Sequence, residues 1–119
     1  MINKILKDLE TLDVYISALN IDENKLKEVK ECIVYKVIYG EQLNIATLEL
    51  IIIAPKLSNV FKINEKIYKL FATRGDRTDV KYAKVDIQNV TTLYDQDTDT
   101  RQMILHLDFI GKIWVQVAI

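Results

Sequence analysis

The chain has 119 residues, half of them apolar, with 16 basic and 17 acidic side chains and a formal charge of -1. That length and apolar content fit one domain with a single core. The near-zero charge lacks the positive surplus that binding a phosphate backbone requires, which sets sequence-specific nucleic-acid recognition aside.

Read from its start, the chain places Ile2, Ile5, Leu6, Leu9 and Leu12 at helical spacing with charges between them. This predicts a short amphipathic helix rather than a continuously apolar signal peptide. Residues 14–19 read as a short strand, and the charged stretch 22–31 as a connector with room for one helical turn. From Cys32 to Tyr39 the residues are mostly β-branched or aromatic; a turn at 40–42 and a longer strand over 43–54 then make a hairpin. Cys32 is the sole cysteine, so no internal disulfide can form, and its setting is that of a small buried hydrophobe.

In the second strand Ala46, Leu48, Leu50, Ile52 and Ala54 face one way, while Thr47 and Glu49 face the other. Ile51 and Ile53 also fall on that second face, so the strand end is expected to be covered on both sides. The cover is either a partner subunit or another part of the chain. The apolar run at 50–54 is far too short to span a bilayer, so a reducing, aqueous compartment and no membrane partner are expected.

Pro55 ends the strand, and Leu57, Val60, Phe61, Ile63, Ile67, Leu70 and Phe71 form the apolar face of a core helix ending near Gly75, a residue suited to the C-terminal cap. The triplet Arg74, Gly75, Asp76 reads as that cap and not as an adhesion signal. Residues 84–94 and 102–109 then read as two strands, the second alternating Met103, Leu105, Leu107 and Phe109 with Gln102, His106 and Asp108.

Between these strands Asp95, Asp97 and Asp99 imitate the opening of a calcium-binding loop. Such a loop needs Gly at its sixth position and Glu at its twelfth, where this chain has Thr100 and His106. The segment is therefore a hairpin tip whose carboxylates offer negative charge to a partner, with no metal and no cofactor. Catalytic residues are not found either. One His, one Cys and three isolated Gly residues supply no nucleophile-and-base pattern, no zinc set and no phosphate loop.

After Gly111, Ile113, Val115 and Val117 alternate with Trp114 and Gln116. This is an extra C-terminal strand that either closes the chain's own sheet or docks on another polypeptide. Residues 1–119 thus form one α+β domain in the order α-ββ-α-ββ, with a mixed or mainly antiparallel sheet and two helices packed on one face.

The short first helix, the hairpin, the helix begun by Pro55 and the final hairpin from Val90 to Phe109 around its Asp-rich tip resemble the tail terminator, or tail completion, proteins of tailed phages and phage-tail-like particles. The resemblance covers most of the chain in element order. Residues 22–31 and 111–119 depart from it. It implies a structural subunit, not an enzyme, that forms a ring, usually of six. The ring caps the tail tube, stops its growth and meets neck, head-completion or sheath protein. Assembly would take place in the host cytoplasm, and the subunit would then sit in the particle at the end distal to the baseplate. On this reading Ile51 and Ile53 belong to the subunit interface, and Asp95, Asp97, Asp99, Ile113, Trp114, Val115 and Val117 to partner contacts. The competing reading is a small-ligand or metal-binding α+β module.

Overall fold

Residues that alternate with period two make the sheet, and those with period near 3.6 cover it. The structure, a computed structural model, describes residues 2–42, 45–72 and 82–111. Its elements are α1 (Ile2–Leu9), β1 (Tyr15–Ala18), α2 (Glu23–Val29), β2 (Cys32–Gln42), β3 (Ile45–Ala54), α3 (Leu57–Ala72), β4 (Tyr82–Asp95) and β5 (Thr100–Gly111). The strands form one sheet in the order β1-β2-β3-β5-β4, parallel between β1 and β2 and antiparallel elsewhere. The fold is α+β with a mixed sheet, as the residue patterns predict.

The main core is built on β3 and β5. Leu48, Leu50 and Ile52 stand opposite Leu107, Leu105 and Met103, and all six are buried. Ile33 extends the layer on β2, as do Val85 and Ile87 on β4. Onto this face α3 lays Val60, Ile63, Ile67 and Phe71, and α1 lays Ile5 and Leu9. Phe71 meets Phe109 edge-on at 5.0 Å between ring centres, a geometry that aligns the positive edge of one ring with the negative face of the other. The chain turns after α1 through Thr11, whose N–H and hydroxyl both donate to the Asp8 carbonyl.

Three details differ from the sequence reading. The apolar stripe of α3 is narrower, because Leu57 and Phe61 are 40% and 50% exposed. Phe61 lies a hundred-degree step round from Val60, so the two residues face different ways. Residues 40–42 are strand rather than turn: β2 continues until Gln42 pairs with Ile45, with register shifts on either side of Tyr39 that take up the extra length. Finally, the connector at 22–31 contains a true helix, α2, which packs on the face of the sheet opposite α1 and α3. There Leu26 closes over Cys32, Val34 and Ile53, with Ile21, Val29 and Ile51 beside them. Only the α1 and α3 pair shares one face. The cap expected at Gly75 and the triplet at 74–76 lie outside the described residues.

Two outcomes follow from this packing. Phe71→Ala removes both a filled core site and the ring contact and lowers stability by about 3–5 kcal/mol, whereas Phe61→Ala stays within about 0.5 kcal/mol of wild type in urea unfolding. Burial pushes the Cys32 thiol up to about 11 from 9.0. A disulfide reagent at pH 8 therefore leaves it unmodified until the protein is unfolded. Because the folded value is the higher one, the stability linked to this thiol is complete below pH 9.0 and is lost as pH rises through about 11.

Candidate functional site

The acidic tip is held by its own hairpin. One oxygen of Asp95 accepts the backbone N–H of Asp97 at 2.9 Å and that of Thr98 at 3.4 Å, the local bonding that makes Asp a turn residue. Asp99 sits in the left-handed region at φ 51, tolerated by Asp better than by most residues. Its carboxylate accepts the Tyr94 hydroxyl at 2.8 Å and Arg101 Nη1 at 3.2 Å. The same Arg101 nitrogen donates to the Pro55 carbonyl at 3.1 Å, and the guanidinium lies 4.5 Å from the Tyr94 ring centre. The hydrogen bond to Asp99 holds the Tyr94 phenol above its ordinary pKa. Asp95 and Asp99 are thus engaged within the tip. Asp97 lines both clefts toward α2, whereas Asp99 lines only the smaller and Asp95 only the larger.

Two clefts separate the tip from α2. The smaller, about 230 Å³, runs between Lys27 of the helix, with Lys30 just after it, and Asp97 and Thr100 of the hairpin. The larger is a groove of about 420 Å³ whose floor is Leu26, Val34, Ile51 and Ile53. Leu19, Glu23, Asp95 and Asp97 stand on its rim. Ile51 and Ile53, expected at a subunit interface, are therefore partly roofed by α2 of the same chain and partly open to this groove. Leu19 has a left-handed φ of 68, a costly state for a residue with a branched side chain, and is 72% exposed. Its N–H donates to the Tyr35 carbonyl at 2.8 Å, which fixes the position of the strained residue.

Beyond α2 the same face of the sheet turns polar. His106 Nε2 lies 3.0 Å from Glu49 Oε2, with Lys36 opposite Glu49 and Gln88 opposite His106 in register. On the next rung Thr47 donates to Asp108 at 2.7 Å. The Thr47 hydroxyl therefore gives its proton to a carboxylate and not to the imidazole, while the Cys32 thiol is buried under α2. The sequence placed His106 correctly as a half-exposed strand residue; its partner Glu49 could be found only from the register of β3 against β5.

Among the described residues no three His, Cys, Asp or Glu side chains gather as a metal site would need, and no helix is long and apolar enough to cross a membrane. Ile113, Trp114, Val115 and Val117 lie outside the described residues. No family model and no curated protein matches the chain.

The tip geometry makes a spectroscopic prediction. In an absorbance titration differenced against Tyr94→Phe, the Tyr94 phenol ionises above the usual tyrosine range, and Asp99→Ala brings it down. Calcium added during calorimetry produces no saturable heat, because Thr100 and His106 stand where a calcium loop needs Gly and Glu, and one oxygen each of Asp95 and Asp99 is taken by the hairpin's own donors.

Proposed function

We propose that this protein is the subunit of a head-to-tail ring that caps the tail tube of a phage or phage-tail-like particle. The observation that supports it best is a sheet with two unlike open edges. On one side β1 pairs only with Cys32 to Tyr35 of β2, and no described residue pairs with the outer edge of 36–42. On the other side β4, a strand of 14 residues, has no described neighbour beyond it and exposes Val90, Leu93 and Tyr94. A long edge with exposed apolar side chains invites another strand, and monomers ordinarily blunt such edges with charge, proline, bulges or brevity; β4 has the charges Lys84 and Asp86 and a bulge at Val90, but none of these from Thr91 to Tyr94.

A closed ring of identical subunits needs two different surfaces that fit each other, since each copy donates one and receives the other. Edges formed by β4 and by the far half of β2 meet that requirement with main-chain hydrogen bonds alone. The tube-capping role, and the contacts with neck, head-completion or sheath protein, rest on the resemblance in element order. The hydrogen-bonding of Thr47 to Asp108 on the polar row, away from His106, favours an architectural role over a catalytic one.

Light scattering and negative-stain images, recorded with and without tube protein, test the reading. A ring is expected on the tube end. Val90→Lys with Leu93→Lys changes exposed edge positions, so that variant keeps the wild-type circular dichroism but fails to form the ring. A wild-type chain that stays monomeric with tube present contradicts the proposal.

A further inference from the structure

The groove between α2 and the hairpin tip has an apolar floor, an acidic rim and a strained, exposed leucine at its mouth, three features that the ring edges do not use. We infer that it receives residues 112–119 of a neighbouring copy of this chain. That segment presents Ile113, Val115 and Val117 on one side at strand spacing, and it carries Lys112 with no acidic residue. The β-branched stripe matches the floor of Val34, Ile51 and Ile53, and Lys112 matches the rim of Glu23, Asp95 and Asp97. Leu19, held at φ 68 and 72% exposed, is in place to close over the inserted side chains.

Reach decides between a chain's own segment and its neighbour's. β5 runs away from the groove, from Thr100 to Gly111, and the floor residues Ile51 and Ile53 stand level with Ile104 and Gln102. From Gly111 back to those levels is about 23 Å and about 30 Å at the rise of a strand. To return, residues 112–119 must first reverse direction, and a tight reversal takes at least two residues. The remaining six span about 20 Å, short of Ile51 and about 10 Å short of Ile53. The same chain's residues 112–119 thus reach at most the mouth of the groove, at the level of Leu19 and Leu105, and cannot lay Ile113, Val115 and Val117 along its floor, which another copy's segment can do. Passed from each copy to the next, such a contact is head-to-tail. The inference rests on the ring reading above and gives its contact a second component.

Trp114 is the sole tryptophan, so its emission reports on the segment. In the full-length protein the emission should move to the blue as concentration rises, and salt should oppose the shift by screening Lys112 from the rim. Leu19→Asp and Asp97→Lys alter exposed groove positions, and each should weaken association by about tenfold or more with unchanged circular dichroism. Val115→Asp should do the same from the other side of the contact. Mixing Leu19→Asp with Val115→Asp is the decisive arm, because one copy then has an intact segment and the other an intact groove. Restored pairing and a blue-shifted Trp114 are expected. Emission that does not depend on concentration, or a mixture no more associated than either variant alone, overturns the inference. The edge variant separates this result from the ring reading. Association that survives Val90→Lys with Leu93→Lys but is lost with Leu19→Asp supports the groove while the ring reading fails; the reverse pattern removes the groove and leaves the ring reading standing.

Discussion

Everything in this structure hangs on the pairing of β3 with β5. Their register brings Leu48, Leu50 and Ile52 onto Leu107, Leu105 and Met103, and a slip of one residue would turn one strand's three away from the other's. Each fully buried Leu or Ile is stabilised by about 1.5–3 kcal/mol relative to exposure, so a slipped register is strongly disfavoured. With that register set, α3 has one surface on which Val60, Ile63, Ile67 and Phe71 can be buried together, and α1 fills the space beside it.

The same register composes the other face. Residues that point away from the main core fall into two zones because β3 itself changes character along its length, from Thr47 and Glu49 to Ile51 and Ile53. The apolar zone collects Cys32 and Val34 from β2 and needs a cover, which α2 supplies through Leu26. The polar zone needs no cover, and its carboxylates, imidazole and hydroxyl satisfy one another across strands. A helix of seven residues cannot roof the whole apolar zone. The uncovered remainder, bounded by the hairpin tip, is the groove.

Placing α2 there carries a backbone cost. The parallel pairing of β1 with β2 forces a crossover between Ala18 and Cys32, and the chain enters and leaves it through left-handed residues, Leu19 and Lys30. Each such residue costs about 1–3 kcal/mol, offset by the hydrogen bonds from Leu19 to Tyr35 and from Lys30 to Leu26 that hold the two ends. The hydrogen bond to Tyr35 holds Leu19 at the rim against that strain. Beside the other wall, Tyr94 and Arg101 brace the hairpin tip through their hydrogen bonds to Asp99.

Local pattern in the sequence was enough to determine the long strands, the core stripe of α3, the burial of Cys32 and the hairpin around Asp95, Asp97 and Asp99. These follow from side-chain period and turn chemistry, which act over a few residues. It was also enough to show that Ile51 and Ile53 need a cover. What provides the cover was not legible, because α2 has only Leu26 and Val29 to mark it within a charged stretch, and its docking depends on β1 running parallel to β2. Nor was the pairing of Glu49 with His106, or the engagement of Asp99 by Tyr94 and Arg101, since each joins positions that only strand register or hairpin curvature brings together. Tertiary structure alone decided the exposure of Phe61, the edges of β2 and β4 that no described residue pairs with, and the groove. All three depend on which surface is left over after the core has closed, a property that belongs to no single stretch of the chain.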